Sequence, residues 1–165
     1  MVANTGTYID APFHRYPDGK DLSQLSLDAI ADLPGVCISV PGRAVDINVF
    51  KNRELEGKAI LVNTGWSQHW GTEKYFEDPP FITRRAAEFL AQSRPALVGI
   101  DSMNIDDVHD KSRPVHSILL KADIQVVEHL ANLAELGEAD FHFFAVPVPV
   151  KAFGSFPVRA FAIQD

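Results

Sequence analysis

The chain has 165 residues, of which 46% are hydrophobic and 22% charged. This composition is typical of a folded globular protein and excludes a disordered or fibrous one. The 22 acidic and 15 basic residues give a formal charge of −7, which disfavours nucleic acids and anionic membranes as partners. No apolar run is long enough to span a membrane, and the first residues lack the basic-then-apolar pattern of a signal peptide. We therefore predict one cytoplasmic domain over residues 1–165.

Alternating strand and helix patterns predict a mixed α/β fold. Apolar runs bounded by Pro, Gly or polar residues predict strands at 36–40, 59–63, 96–100, 125–127, 141–146 and 158–163. Thr83 is expected to cap a helix that continues to about residue 91, and a second helix is predicted over 115–122. Residues 22–33 indicate a short helical or irregular stretch that ends at Pro34-Gly35. We expect one mixed sheet with flanking helices.

Two other features of the sequence bear on its class. The segment 66–80 contains two Trp and two Pro, and a loop of this length either covers a pocket or packs on a partner. Cys37 lies inside an apolar run and is predicted to be a buried structural thiol. A single cysteine cannot form an internal disulfide, which agrees with a reducing compartment.

Most of the polar residues that folding alone does not require fall into three clusters: residues 6–14, 99–106 and 114–128. In the first, Asp10 and His14 are four residues apart, but Pro12 between them disfavours a helix, so they converge only through a turn. The other two clusters contain Asp101 and Asp106 after a predicted strand, and then His116 and Glu128. One imidazole with two carboxylates suits Zn²⁺ or Mn²⁺. Each residue alone is also explained by a turn, a helix cap or a solvated surface, so spacing does not establish a metal site.

Considered together and in order, these clusters resemble the cyclase family of amidohydrolases, which includes kynurenine formamidase and isatin hydrolase. The run Gly6-Thr7-x-Ile9-Asp10-Ala11-Pro12-x-His14 is similar to the family signature His-x-Gly-Thr-His-x-Asp-x-Pro-x-His. Four further segments resemble later parts of the family in the same order: 63–71, 99–106, 114–133 and 154–159.

The resemblance implies a swivelling β/β/α fold and hydrolysis of a small amide, lactam or lactone with one or two divalent metals. By position, Asp10 would be the bridging carboxylate, His116 and Glu128 would complete a metal position, and His14 would be the acid/base. The resemblance also implies a homo-oligomer, a dimer or tetramer, with a small-molecule substrate. The expected substrate-binding residues are Asn4, Tyr8, Phe13 and Trp66.

Asn4 and Tyr8 stand where the signature has two metal-binding histidines. An amide oxygen is a weak ligand, and a phenol with a reference pKa of about 10 must lose its proton before it binds a metal well. Three interpretations remain open. The site holds one Zn²⁺ or Mn²⁺ on Asp10, His116 and Glu128; or it holds a metal only with help from substrate or a second subunit; or it is metal-free.

Two other functions therefore remain open: a non-catalytic small-molecule binding protein on the same fold, and a structural subunit of an oligomer. Family members carry early strands before the signature, and we expect this domain to lack them. Aromatic residues near the signature suit either a substrate wall or ordinary packing. Four histidines without a matched role are expected to be structural or at the surface: His69, His109, His129 and His142.

Overall fold

The computed structural model describes residues 2–137 and 139–164, and within these ranges it contains ten strands and two α-helices. The strands are β1 (Tyr8–Asp10), β2 (Leu33–Ser39), β3 (Ala44–Val45), β4 (Ala59–Asn63), β5 (Phe81–Ile82), β6 (Leu97–Ile100), β7 (Gln125–Glu128), β8 (Phe141–Phe144), β9 (Ser155–Pro157) and β10 (Phe161–Gln164). The helices are α1 (Arg84–Ser93) and α2 (Pro114–Lys121).

Eight of the strands form one mixed sheet in the order β10-β8-β2-β4-β6-β7-β1-β9. The four central strands β2, β4, β6 and β7 are parallel, and antiparallel strands flank them on both sides. The remaining strands, β3 and β5, pair with each other. The predicted mixed α/β fold is confirmed.

Three of the central strands, β4, β6 and β7, are buried on both faces, as expected for parallel strands, whereas β2 is buried only in part. On β4, Ile60 and Val62 point to the core that contains α1 and α2, whereas Ala59 and Leu61 point to a second core. The first of these faces is the helix side of the sheet, and it also carries the functional residues described below.

The two predicted helices are confirmed with small changes at their ends. Thr83 caps α1, since its Oγ1 accepts a hydrogen bond from the Ala86 backbone N at 3.2 Å. Among the described residues, no helix combines the length and the apolar character that crossing a membrane would require.

Strand β2 begins at Leu33, so the prediction that Pro34-Gly35 ends the preceding stretch is wrong. The reason is the packing of β8 against β2. The Phe141 ring lies directly over Gly35, where an added Cβ would come within 1.8 Å of a ring carbon. The glycine is therefore a packing position within a strand, and Pro34 pairs with His142.

The predicted strand 158–163 is wrong in its first half. The chain instead forms β9 and β10, which lie at opposite edges of the sheet. The Val158 backbone N donates to Thr7 O, which holds the residue after β9 beside β1. The segments 66–80 and 22–33 contain short 3-10 helices at Trp66–His69, Glu73–Phe76, Leu22–Gln24 and Leu27–Ala29.

Cys37 lies on β2 and is half-buried, where the sequence predicted full burial. Its thiol donates to Leu133 O at 3.6 Å. Burial, with a smaller contribution from the Asp101 carboxylate, raises the pKa of the Cys37 thiol to about 11.

We expect iodoacetamide to alkylate Cys37 at pH 7.5 at least about 100-fold more slowly than free cysteine, because little thiolate is present. Mass spectrometry against time and pH measures this rate, and labelling as fast as free cysteine would contradict it.

Candidate metal and catalytic site

Strand pairing brings four polar side chains to one place on the helix side of the sheet. β1 lies between β7 and β9, so that Tyr8 is opposite Glu128 and Asp10 is opposite Ser155. Side chains alternate along a strand, and directly opposed residues share a face. Val126, the partner of Asp10 on β7, packs in the same core as α2. The four side chains therefore face α2.

His116 comes from the first turn of α2, and Asp106 fixes its orientation. One oxygen of Asp106 accepts from the Val115 backbone N at 2.6 Å, and the other accepts from His116 Nδ1 at 2.6 Å. Because Nδ1 donates its proton, Nε2 carries a lone pair whenever the ring is neutral. Burial favours the neutral ring, but the carboxylates of Glu128, Asp10 and Asp106 outweigh this effect and raise the pKa of His116 to about 9. This Nε2 lies 3.3 Å from Asp10 Oδ2 and 3.5 Å from Glu128 Oε1.

His14 reaches the same place through a 3-10 helix, Pro12–His14, which makes the turn that the sequence predicted. Ser155 Oγ donates to Asp10 Oδ1 and lies 2.7 Å from His14 Nδ1. Because the Ser155 hydroxyl already donates its hydrogen to Asp10, Ser155 Oγ accepts a hydrogen bond from His14 Nδ1–H. The lone pair of the neutral His14 ring is therefore on Nε2. Burial lowers the pKa of His14, and the Asp10 carboxylate opposes this effect only in part. His14 is thus a neutral base near pH 7.

Arg113 occupies the space in front of the two imidazoles. Its Nη1 lies 3.2 Å from His14 Nε2, and its Nη2 lies 2.9 Å from His116 Nε2. Arg113 has a φ of 49°, in the left-handed region that non-glycine residues rarely adopt. It also precedes Pro114, which disfavours the right-handed helical conformation at this position.

The site buries more negative than positive charge. Asp10, Asp106 and Glu128 are at most 1% exposed. Glu128 accepts hydrogen bonds from the Tyr8 hydroxyl and, at 2.6 Å, from the Ile105 backbone N. Burial raises the pKa of the Glu128 carboxyl, although His116 opposes this. Asp10 Oδ2, by contrast, has no hydrogen-bond partner within residues 2–137 and 139–164. Buried carboxylates are normally paired, protonated or bound to a metal, so this cluster calls for a cation or a proton.

The donor set suits one divalent cation. Asp10, His14 and His116 offer one ligand atom each, and these atoms all lie within 4.8 Å of one another. Glu128 Oε1 is close to the same His116 nitrogen and adds a further carboxylate oxygen. A buried carboxylate oxygen without a partner, beside two imidazole nitrogens, matches the ligands that Zn²⁺ and Mn²⁺ prefer.

The two positions where the family signature has histidines do not add ligands of comparable strength. Burial, followed by the Glu128 and Asp10 carboxylates, raises the pKa of Tyr8 far above its usual value of about 10, so its hydroxyl stays protonated. Asn4 is exposed and lines the mouth of a cavity instead. The residues present therefore fit one metal better than two.

A cavity of about 890 Å³ opens in front of these groups. Three of the four residues predicted to bind substrate line it: Asn4, Tyr8 and Phe13. Trp66 does not line it. The reason is that the 3-10 helix Trp66–His69 turns the indole away, and its Nε1 donates to Tyr75 O at 3.0 Å.

Several residues at the site were not predicted from the sequence: Arg113, His129, Phe76, Phe153 and, as a bridging group, Ser155. His129 has a φ of 57° and contacts the Tyr75 hydroxyl at 2.9 Å. Burial lowers the pKa of His129 to about 4, so the ring is neutral. In the sequence, the position of His129 next to Glu128 was the one feature that could have indicated that it lies at the site. The other three unmatched histidines lie outside the site, and His109 pairs with Asp78 at the surface.

Gly154 sets the distance between β9 and the segment that carries His14. A Cβ added at Gly154 would come within 2.4 Å of the His14 backbone N, and backbone atoms cannot move aside. We expect Gly154→Ala to lower the free energy of unfolding by about 1–3 kcal/mol and to displace His14. Gly99→Ala is the matched control, because its added Cβ meets the flexible end of Leu130 instead. Denaturant unfolding of both variants, with an activity assay, tests this: both lose stability, but only Gly154→Ala should lose activity.

Comparisons with known proteins identify similar sequences and solved structures. The model of the putative cyclase family matches residues 1–107. The kynurenine formamidase of Bacillus cytotoxicus is 30% identical over 97% of this chain and 76% of its own length. A solved isatin hydrolase bound to the product analogue thioisatinate has a TM-score of 0.87 at 22% identity, over 100% of this chain and 74% of that one. A solved potential metal-dependent hydrolase with cyclase activity has a TM-score of 0.78 at 25% identity, over 97% of this chain and 78% of that one.

The chain belongs to the cyclase family. The resemblance that the sequence clusters indicated is therefore confirmed, and so is the cyclase-like fold. The roles of single residues as ligands, acid/base or substrate contacts remain predictions, although the structure brings Asp10, His14, His116 and Glu128 together.

Proposed function

We propose that this protein is a metal-dependent hydrolase that acts on a small amide, lactam or lactone. One observation carries the proposal: Asp10 Oδ2, buried and without a hydrogen bond among the described residues, lies 3.3 Å from His116 Nε2, and the neighbouring His14 lines a cavity of about 890 Å³. The names of the relatives, kynurenine formamidase and isatin hydrolase, support amide or lactam chemistry.

In this proposal, Asp10, His116 and Glu128 hold a single Zn²⁺ or Mn²⁺. Asp106 keeps the His116 Nε2 lone pair directed at the metal position through its bond to Nδ1. When bound, the metal lowers the pKa of water toward neutrality and polarises a carbonyl group. Asp10 is held by Ser155, which leaves its second oxygen free for the cation.

His14 is the proposed acid/base. Its side chain is 27% exposed, so it can reach a substrate in the cavity. Ser155 accepts a hydrogen bond from its Nδ1, and once Arg113 has moved away from Nε2, this neutral nitrogen can take a proton from the attacking water. The same nitrogen can then return that proton to the leaving nitrogen or oxygen of the substrate.

Metal analysis of the purified protein, combined with hydrolysis assays, tests this proposal. We expect close to one Zn²⁺ or Mn²⁺ per chain after equilibration and turnover of N-formylkynurenine, isatin or a simple lactone. His116→Ala should remove both the metal and the activity. The proposal is wrong if the folded protein holds no stoichiometric metal and turns over none of these substrates.

A second candidate is a metal-free protein that binds a small molecule on the same fold. It is favoured by Tyr8 and Arg113, whose hydrogen bonds to Glu128 and the two imidazoles satisfy these groups without a metal. The same measurements separate the candidates, because this one predicts neither metal nor turnover.

The assembly is proposed to be a homo-oligomer. β10 is an edge strand, and its Phe161 and Ile163 are 48% and 53% exposed. Such an edge is usually covered in the native state. Light scattering should give a mass of two or more times 18.2 kDa, and a mass of 18.2 kDa would contradict the proposal. A cytoplasmic location and the structural-subunit alternative stay predictions.

A further inference from the structure

The guanidinium of Arg113 contacts both imidazoles that face the metal position. Its two terminal nitrogens lie 3.2 Å and 2.9 Å from the Nε2 atoms of His14 and His116. All nitrogens of an arginine side chain are donors, so both imidazole nitrogens must be acceptors in this arrangement. This agrees with the tautomers that Ser155 and Asp106 impose from the other side of each ring.

The imidazole Nε2 has a single lone pair. It either accepts a hydrogen bond from Arg113 or binds a metal ion, and the two states exclude each other. The positive charge of the guanidinium adds repulsion toward a divalent cation in the same space. Metal binding at His116 therefore requires Arg113 to leave.

The contacts that hold Arg113 are few, so the residue can be displaced. Its Nε is buried and has no hydrogen-bond partner among the residues that the structure describes. In the part of the chain that the structure describes, ion pairs with carboxylates are formed by Arg43 and Arg94 and not by Arg113. Its backbone is also in the left-handed region, at a φ of 49°. Strained non-glycine residues of this kind occur at sites that switch between two arrangements.

We propose that Arg113 is a built-in competitor for the metal: it occupies the two imidazoles in the metal-free protein and thereby sets the metal concentration at which the site fills. The inference rests on the proposed metal site, but it does not require that the site hydrolyses anything. The apparent metal affinity is then the intrinsic affinity of the site multiplied by the fraction of molecules in which Arg113 has left the imidazoles.

Calorimetric titration of the full chain with Zn²⁺ alone and with Mn²⁺ alone tests this. We expect Arg113→Met to bind the metal at least about 10-fold more tightly than the unmodified chain. Arg15→Met is the matched control. Arg15 also lies beside His14, but its guanidinium contacts Ser112 O and Ser117 Oγ and no imidazole. Its removal takes away one positive charge and should change the affinity by less than about threefold.

Nitrogen NMR of the unmodified chain provides a readout that does not depend on the variant folding. As Zn²⁺ is added, the side-chain resonances of Arg113 and the Nε2 resonances of His116 should change together, at the same metal equivalents. Arg113 resonances that stay constant while His116 binds the metal would overturn the inference.

The outcomes separate this inference from the proposed function. If Arg113→Met and the unmodified chain bind the metal equally well, Arg113 is not a competitor, and the metal site stands. If neither binds metal, both proposals fail. If Arg113→Met binds more tightly but no substrate is hydrolysed, the competition stands, and the hydrolase proposal fails.

Discussion

Asp10→Asn is expected to remove metal binding and to reduce hydrolysis at least about 100-fold. Mutation of a residue that only orients a metal ligand lowers activity by up to about 100-fold, and loss of the ligand itself should lower it at least as much. Asn has nearly the same shape as Asp, so the fold should persist. Among the described residues, Asp10 Oδ2 accepts no hydrogen bond, but it lies 3.3 Å from His116 Nε2. The change removes one of several buried negative charges and also the partner of His116, so we expect only a small net change in the stability of the metal-free protein. Metal content, turnover and denaturant unfolding measure the three effects.

Asp101→Asn is the matched control for Asp10→Asn. Asp101 is also fully buried, and it also has one carboxylate oxygen without a partner. Its other oxygen accepts from the Thr64 backbone and hydroxyl, and it is not among the residues that converge on the metal position. This variant should keep its metal. An Asp10→Asn protein that retains stoichiometric metal would contradict the ligand assignment.

His14→Gln is expected to reduce kcat by about 10²–10⁴-fold, the usual contribution of a positioned acid/base. If His14 is the acid/base and not a ligand, the metal content should stay unchanged. Loss of the metal together with activity would instead make His14 a metal ligand, which its distance from Asp10 and His116 also permits. Metal analysis of the same preparation distinguishes the two roles.

The pH profile of the unmodified enzyme gives a second measure of His14. Burial holds its pKa below the usual 6.5, and the base is the neutral form. Activity limited by this group should be constant near pH 7 and should fall only as the pH drops through the lowered pKa. His14→Gln should remove this acidic limb, whereas a variant outside the site should keep it.

Much of the site could be predicted from the sequence because its polar residues occur in ordered local patterns. Asp10 and His14 are separated by one turn, and His116 follows the proline that begins α2. What sequence alone could not supply was which side chains face each other across strands. The contact of Tyr8 with Glu128 depends on the register of β1 against β7, which is a tertiary property.

The errors have equally specific causes. Arg113 was missed because its position depends on a left-handed backbone before a proline, for which a lone Arg in a polar loop gives no signal. Trp66 was expected to bind substrate, and that role stays a prediction, but its segment coils into a 3-10 helix and the side chain does not line the cavity. The start of β2 was placed late because Pro-Gly is typical of turns, and the ring of Phe141 overrides that preference.

The placement of β1 between β7 and β9 has a consequence for how the protein folds. The contact between Asp10 and Ser155 joins residues 145 positions apart, and the contact between Tyr8 and Glu128 joins residues 120 apart. Contacts this distant in sequence form slowly, because the chain must first lose the entropy of closing a long loop. The parallel centre of the sheet can assemble from nearer segments. Metal-binding competence should therefore appear at the end of refolding, after most of the core has formed.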